Sequence, residues 1–242
     1  MIYRILFLIV ALHNTLFGDW IQYSPKLPVS SLPVTAKNIQ SLLDLKKFSK
    51  RSCKLAVCAM FYNEAEYLKE WIEFHKLVGA QLFYLFNNNS TDDYLAILQP
   101  YIDSGEVVLF DWHHTYERGN TLQFDYIQRN AYNHALLISR GKAKWLAFID
   151  IDEFLFPVQK NSLLAVLKSY DKYAGLVVNW QMFGTSNIEK IPSDKLLIET
   201  LIMQAPKDYH WNTRIKCILK PKYAKKCLGP HHFSYKKKKK AV

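Results

Sequence analysis

The chain has 242 residues, of which half are hydrophobic and 22% are charged, a composition typical of a folded globular protein with one sizeable domain. Two basic clusters, at 46–54 and 236–240, supply much of the net charge of +11. No basic stripe with interleaved aromatic residues runs along a predicted helix, so the charge argues against nucleic acid as a partner.

The N-terminal residues are predicted to be a targeting segment. Arg4 precedes an apolar run over 5–12, and Gly18 lies near a plausible cleavage point. The run is short for a membrane span and suits a signal-peptide core, with a short uncleaved anchor as the alternative. We therefore assign residues 1–20 to a signal peptide or anchor and residues 21–52 to a proline-containing linker or stem. An exported or membrane-associated protein is expected, with a cytoplasmic location as the alternative.

Residues 53–235 alternate between short apolar strands and helices. The predicted strands cover 54–60, 81–86, 106–112, 144–149 and 175–180. The predicted helices begin at Asn63, after the polar cluster 87–93, at about 122 and at 162, and residues 183–215 show only mixed loops and short elements. This alternation predicts an α/β fold with a mostly parallel sheet covered on both faces by helices.

Local signals refine the helices. Asn63 is predicted to cap the first one, with Glu66 completing a capping box, and Pro100 to close the second. His75 lies on an apolar helix face and is predicted to be a hydrogen-bonded core histidine rather than a ligand.

The four cysteines give no sign of a zinc site. They form no CxxC pair and no cluster with histidines at zinc spacing. Cys58 lies in an apolar strand and is predicted to be a buried thiol. A disulfide between Cys217 and Cys227 stays open, since it depends on export.

Three polar clusters follow predicted strands, at 62–64, 87–93 and 150–153. In open parallel sheets ligands bind at the carboxyl ends of the strands. Asp150, Asp152 and Glu153 bring three carboxylates together there, and a hard cation such as Mg²⁺ or Mn²⁺ would relieve their repulsion and bind a diphosphate. The alternative is a solvated acidic turn that caps a helix.

Several segments resemble, in order, glycosyltransferase family 92, a relative of the family 2 enzymes with the GT-A fold. The matching segments are 58–64, 67–75 with Gly79, 86–92, 100–102, Gln128, 131–134, 144–157, 178–186, 216–221, His232-Phe233 and Tyr235. The resemblance covers about residues 54–235. It implies a single domain with a GT-A type, Rossmann-like sheet.

The resemblance also implies an activity. A hexose would move from a nucleotide-sugar donor, expected to be a UDP-sugar, to a glycan or other hydroxyl acceptor, with inversion and with Mn²⁺ or Mg²⁺. Asn63 and Glu64 would line the nucleoside pocket, and Asn88 would lie where family 2 relatives often carry an aspartate facing the base. Because Asn88 replaces that aspartate, the resemblance does not predict which nucleotide base the protein recognises. Asp150 would meet the ribose or the metal, and Asp152 the metal.

The acceptor side is implied by later residues. His232 would be a further metal or diphosphate contact, and Glu199 would be the general base that takes the acceptor proton, with Asp194 and Asp208 as rivals. Trp180 and Phe183 form either an acceptor platform or ordinary core packing.

Two alternatives accompany the main hypothesis. Residues 236–242 form a predicted lysine-rich tail, and its lysine run 236–240 looks like a truncated or frame-shifted end. The chain is therefore either an active enzyme or a non-catalytic relative that binds a nucleotide or a glycan. A nucleotidyltransferase is disfavoured because no glycine-rich phosphate loop follows the first strand at Met60.

Overall fold

The computed structural model describes residues 5–10, 52–114, 120–236 and 240–242, and for residues 5–10 it describes the backbone alone. The elements in chain order are β1 (Ile5–Val10), β2 (Cys53–Phe61), α1 (Ala65–Leu77), β3 (Leu82–Asn87), α2 (Tyr94–Asp103), β4 (Val107–Asp111), α3 (Thr121–Ser139), β5 (Ala143–Phe148), β6 (Glu153–Pro157), α4 (Leu163–Ser169), β7 (Gly175–Asn179), β8 (Gln181–Phe183), α5 (Leu197–Thr200), a 3-10 turn (His210–Thr213), β9 (Ile215–Leu219), β10 (Ala224–Gly229) and β11 (His232–Tyr235).

Six strands form the central sheet, in the order β4-β3-β2-β5-β9-β7. The first four run parallel, and β9 runs antiparallel between β5 and β7. The predicted α/β architecture, a mostly parallel sheet flanked by helices, is confirmed. Because Phe61 pairs with Asn87 and Cys58 with Phe148, the polar clusters that follow β2, β3 and β5 emerge at one edge of the sheet.

The central strands are buried on both faces, which explains their nearly continuous apolar sequences. Along β2 the side chains alternate between two cores. Leu55, Val57, Ala59 and Phe61 pack on the side of α1, which contributes Leu68, Trp71 and Ile72. Ala56, Cys58 and Met60 pack on the side of α3, with Ala131, Tyr132 and Ala135. Cys58 is fully buried, as predicted.

The predicted capping box at Asn63 is wrong. The N-cap position of α1 is Glu64, and no side chain caps it. Asn63 adopts a left-handed backbone with φ 54°, which asparagine tolerates better than most residues. Its Oδ1 instead accepts a hydrogen bond of 2.7 Å from the backbone N–H of Thr91, so the side chain joins the β2 and β3 loops.

Pro100 does not close the second helix, since α2 continues to Asp103. The carbonyl of Pro100 accepts a 3.1 Å bond from the backbone N–H of Ser104, so the helical pattern passes through the proline. The ring removes one N–H donor but no acceptor.

His75 is a core histidine, as predicted. Its ring is fully buried. Nδ1 lies 2.7 Å from the carbonyl of Trp71, and Nε2 accepts a 3.1 Å bond from the backbone N–H of Leu155. Burial lowers the pKa of His75 to about 4, which keeps the ring neutral.

Two small sheets accompany the large one, β6-β1-β8 and β10-β11, and the sequence pattern had predicted neither. Ile5–Val10, from the segment assigned to a signal peptide or anchor, pairs with β6 and β8. Export or membrane association through this segment stays a prediction. No helix in the described part of the chain has the length and apolar character to cross a membrane.

The C-terminal residues 240–242 pair with the outer edge of β7. The backbone N–H of Val177 donates to the carbonyl of Val242 at 2.8 Å, and the N–H of Val242 donates to the carbonyl of Gly175 at 3.1 Å. These residues therefore belong to the sheet rather than to a free tail, while 237–239 lie outside the described residues.

All four cysteines are free thiols, so the structure contains no Cys217–Cys227 disulfide. The sulfur of Cys217 lies 3.1 Å from the carbonyl of His231, and the sulfur of Cys227 lies 3.1 Å from the carbonyl of Gly229.

Candidate functional site

The segment Asp150–Glu153, called the acidic turn below, joins β5 to β6 at the carboxyl edge of the sheet. The backbone N–H of Ile149 donates to the carbonyl of Cys58 at 3.1 Å, which fixes the chain just before the turn. From α1, the indole Nε1 of Trp71 donates to the carbonyls of Asp150 and Glu153, at 3.0 and 2.9 Å. A fully buried tryptophan thus supports the turn from beneath.

The carboxylate of Asp150 receives three side-chain donors. Its Oδ1 accepts from Gln128 Nε2 at 3.1 Å and from Tyr132 Oη at 3.3 Å, both from α3. Its Oδ2 pairs with the ammonium of Lys216 on β9. The side chain nevertheless keeps an exposed fraction of 35%, so the carboxylate remains reachable from solvent.

Lys216 is the counter-charge of the acidic turn. Its side chain is 1% exposed, and its Nζ also lies 3.0 Å from Oε2 of the buried Glu153. Burial disfavours the charged lysine, but the Asp150 and Glu153 carboxylates outweigh it and raise the pKa of Lys216. Burial opposes the charge of Asp150 too, but Lys216 lowers the pKa of this carboxyl below its usual range.

Asp152 and Glu64 form no salt bridge with a cation among the described residues, although the Lys216 charge is near enough to attract the Asp152 carboxylate. Burial and then the Asp150 carboxylate raise the pKa of Asp152 to about 7. Burial, followed by repulsion from Asp152, Asp92 and Asp150, raises the pKa of Glu64 to about 8. Added positive charge at this position would relieve the repulsion.

These side chains do not form a ready-made metal cage. Within the described ranges, no three His, Cys, Asp or Glu side chains converge closely enough to hold a metal ion by themselves. Asp150 and Asp152 lie in the same turn, as predicted, but Asp150 already shares its charge with Lys216.

The structure brings His231 toward the acidic turn rather than its neighbour His232. His232 is exposed at the start of β11. His231 is near enough to Asp150 and Lys216 to interact with their charges, and burial followed by Lys216 lowers its pKa to about 4. Its Nδ1 is buried and accepts or donates no hydrogen bond within the described structure.

Trp180 adjoins this histidine. The two ring centroids lie 5.6 Å apart in an edge-to-face arrangement, and the Lys216 ammonium lies 5.8 Å from the Trp180 ring centroid. Trp180 Nε1 is also buried without a partner among the described residues. An unsatisfied buried donor is costly, so a ligand oxygen at this position would be stabilised.

Phe183 lies in a different environment from Trp180. It lines an apolar cavity of about 470 Å³, together with residues that include Phe74, Phe156 and Ile198. None of the acidic-turn residues lines this cavity. Trp180 does not line this cavity, although both aromatic side chains pack against the same hydrophobic core.

The three residues predicted to contact the nucleoside lie in different environments. Glu64 is half-buried and faces the acidic turn through the interactions given above. Asn63 is exposed and joins the two loops. Asn88 is 3% exposed, and its Nδ2 donates to the carbonyls of Trp112 and His114 at 3.0 Å each. Its amide thus holds the loop after β4.

Glu199 lies in α5, exposed and locally engaged. Its Oε1 accepts from the backbone N–H of Leu196 at 3.2 Å and lies 3.8 Å from Lys195 Nζ. The rival carboxylates, Asp194 and Asp208, are exposed as well.

The helix that carries Glu199 is held by Glu70 on α1. The two Glu70 oxygens accept from the backbone N–H groups of Leu197 at 2.8 Å and Ile198 at 3.0 Å. A carboxylate at a helix N-terminus satisfies donors that have no partner within the helix.

Sequence reasoning did not assign roles to Lys216, Gln128, Tyr132, Trp71, Glu70 or His231. Two signals were present. Lys216 is the one charged residue in the apolar strand Ile215–Leu219, which is unusual for a buried strand unless the charge is paired. Gln128 and Tyr132 are four residues apart on α3 and therefore lie on one helix face.

Comparison with known proteins identifies the family. Residues 53–242 match Glycosyltransferase family 92. A family 92 protein of Ricinus communis is 28% identical over 219 residues, covering 85% of this chain and 35% of that protein. A family 92 protein of Oryza sativa subsp. japonica is 29% identical over 209 residues, covering 81% of this chain and 32% of that protein. This chain thus spans about a third of the length of these relatives.

Two further proteins match a smaller part of this chain. A galactan β-1,4-galactosyltransferase of Arabidopsis thaliana is 28% identical over 117 residues, covering 46% of this chain and 21% of that enzyme. A crystal structure of S. aureus TarS in complex with UDP is 19% identical, with a TM-score of 0.39, and covers 57% of this chain and 38% of that one. Because the family match extends over most of the chain, from β2 to its last residue, the chain belongs to glycosyltransferase family 92.

Proposed function

We propose that this chain is the donor-binding and catalytic part of a glycosyltransferase. It transfers a hexose from a nucleotide sugar, expected to be a UDP-sugar, to a hydroxyl group of a glycan or other acceptor, with inversion. The observation that carries the proposal is the acidic turn at the carboxyl end of β5, in a chain that belongs to family 92. A relative named as a galactan galactosyltransferase makes UDP-galactose the first donor to test.

The acidic turn fits a divalent cation that arrives together with a diphosphate. Mg²⁺ and similar ions are commonly held by one or two carboxylates, with substrate phosphates and water completing the shell. Asp152, which forms no salt bridge among the described residues, and the exposed part of Asp150 supply that number of ligands. When bound, Mn²⁺ or Mg²⁺ would neutralise the charge that develops on the diphosphate leaving group.

The nucleoside side of the donor is proposed to lie against Glu64 and the loop joined by Asn63. With a pKa of about 8, the Glu64 carboxyl holds a proton at neutral pH and can donate a hydrogen bond to a ribose or base oxygen. His231, rather than the predicted His232, is proposed to face the diphosphate or its cation, because its buried Nδ1 has no partner among the described residues and its ring stays neutral.

On the acceptor side, Trp180 is proposed to contact the sugar through its indole face or its free Nε1. Glu199 is proposed to accept the proton of the attacking hydroxyl, as inverting transfer requires a carboxylate on the side opposite the leaving group. The exposed carboxylate of Glu199 is held by one main-chain bond and a long ion pair, which leaves acceptor positions for that proton.

A donor screen tests the proposal. The intact chain is incubated with UDP-galactose and other nucleotide sugars in the presence of Mn²⁺, with and without oligosaccharide acceptors, and release of the nucleotide diphosphate is measured. We expect release with at least one donor and its loss in Asp152→Asn. Donor binding without release or transfer under any of these conditions would contradict an enzyme and support a non-catalytic nucleotide-binding relative.

A further inference from the structure

Lys216 reaches the acidic turn because β9 runs antiparallel beside β5. Cys217 pairs with Phe148, so the antiparallel register brings Lys216 beside Ile149, one residue before the acidic turn begins. The lysine stem is enclosed in the fold, and its ammonium contacts two carboxylates at once. The buried ammonium has almost no solvent-exposed surface with which to bind a ligand directly. Lys216 therefore acts on the site through the two carboxylates that it contacts.

The contacts leave Asp150 with little freedom. A carboxylate offers about four lone-pair positions. Gln128 and Tyr132 take those of Oδ1, and Lys216 takes one on Oδ2. One acceptor position therefore remains, on Oδ2, and the exposed fraction of the side chain gives it access to solvent.

Lys216 also holds the other end of the turn. Glu153 Oε2 accepts from the backbone N–H of Asp150 at 2.7 Å and lies 3.0 Å from the lysine Nζ. The ammonium thus joins the first and last carboxylates of the turn across its interior. Asp152 lies between them in sequence and forms no salt bridge with Lys216, although the lysine charge is near enough to attract its carboxylate.

We propose that Lys216 is a positioning residue for the donor, a built-in cation that holds Asp150 with one acceptor position open and reserves Asp152 for the divalent ion. The inference rests on the proposed function. It explains why the carboxylates form no complete metal cage in the described structure, since the ammonium already occupies the cation position between Asp150 and Glu153. The acidic turn should therefore bind a divalent ion well only when a diphosphate brings further oxygen ligands.

Two variants test this role. Lys216→Met removes the ammonium while retaining an unbranched stem. Lys216→Met with Glu153→Gln also removes the carboxylate that would be left uncompensated, and so protects folding. Lys220→Met is the matched control, because Lys220 is likewise buried, 4% exposed, directly after the other end of β9, and pairs with Asp171 away from the acidic turn.

Calorimetry measures binding of Mn²⁺ alone and of UDP with Mn²⁺ to each full-length protein. Without Lys216, the carboxylates of Asp150 and Asp152 attract a free cation more strongly, so Lys216→Met should bind Mn²⁺ alone at least about tenfold more tightly than the wild type. In the double variant Asp150 is no longer held, and UDP with Mn²⁺ should bind about 10- to 100-fold more weakly than to the wild type. Lys220→Met should match the wild type in both measurements.

The outcomes separate the inference from the function on which it rests. If the double variant binds UDP with Mn²⁺ as the wild type does, or if Lys216→Met gains no affinity for Mn²⁺ alone, Lys216 is only a structural charge and the inference is overturned. An equal loss of UDP binding in Lys220→Met would overturn it as well. A wild-type chain that does not bind UDP under any condition would instead overturn the proposed function.

Discussion

The indole nitrogen of Trp71 donates a 3.0 Å hydrogen bond to the main-chain carbonyl of Asp150, across 79 positions of sequence. A second bond of 2.9 Å reaches the carbonyl of Glu153. One buried side chain of α1 therefore sets the backbone of the acidic turn, while its carboxylates are oriented separately by α3 and β9. Three different elements of the fold therefore fix the positions of the side chains in the site.

Trp71→Phe should lower the free energy of unfolding and weaken UDP binding. The substitution keeps an aromatic ring but removes the indole donor from both carbonyls, of which that of Asp150 retains the backbone N–H of Glu153 at 3.2 Å, at a cost of about 1–3 kcal/mol. Urea unfolding and calorimetric titration with UDP and Mn²⁺ measure the two effects. Leu68→Ala, at a buried position of the same helix, is the control that should reduce stability but leave the affinity of the folded protein unchanged. Equal affinities in both variants would contradict the account.

The stability of the ligand-free protein should depend on pH through Asp152 and Glu64. Their pKa values in the fold, about 7 and about 8, exceed the value of about 4 in the unfolded chain. The folded protein therefore binds more protons between about pH 4 and 8, and these groups make the free energy of unfolding fall as the pH rises through that window.

Comparison with Asp152→Asn isolates one of these groups. The low pKa values of His75 and His231 act in the opposite direction below about pH 6.5, but they are shared by both proteins. We expect urea unfolding between pH 6 and 8.5 to show a shallower decline of stability for Asp152→Asn than for the wild type. Parallel pH profiles would show that Asp152 titrates at its ordinary pKa.

Glu70→Ala should loosen α5, the helix that carries Glu199. The variant removes both acceptors from the backbone N–H groups of Leu197 and Ile198, a loss worth about 0.5–2 kcal/mol at a helix N-terminus. Hydrogen exchange at these two amides should become faster. Glu70→Gln keeps one acceptor oxygen and should show a smaller effect. Unchanged protection of both amides in Glu70→Ala would refute the contact.

Glu199→Gln tests the general base. If Glu199 accepts the acceptor proton, the variant should lower kcat for transfer by about 10²- to 10⁴-fold while donor affinity stays the same. Asp194→Asn and Asp208→Asn, at the two rival exposed carboxylates, should transfer at wild-type rates. Wild-type transfer by Glu199→Gln would remove Glu199 from the mechanism and return the question to its rivals.

The sequence pattern predicted the part of the site that depends on local signals. Apolar runs of strand length located β2, β3 and β5, and the polar residues after them identified the edge at which Asp150 and Asp152 lie. The strands can be located in this way because parallel strands that are buried on both faces have continuous apolar sequences. His75 was likewise identified from its apolar helix face.

The remainder of the site depends on contacts between residues far apart in sequence. Lys216 reaches Asp150 only because β9 lies antiparallel to β5. From sequence alone, a single lysine is expected to be exposed to solvent. Glu70 holds α5 across 127 positions. At Asn63 the local capping signal was present, but a tertiary contact with Thr91 replaced it. Propensity at a helix end is weak enough to be overruled in this way.

The central claim is that Asp152 holds a nucleotide diphosphate through a divalent ion. Calorimetric titration of UDP into the full-length protein, with Mn²⁺ or with EDTA, tests it most directly. The account predicts binding that requires Mn²⁺ and that weakens about 10- to 100-fold or more in Asp152→Asn. Equal binding of UDP in EDTA, or an Asp152→Asn variant that binds UDP with Mn²⁺ as tightly as the wild type, would contradict it.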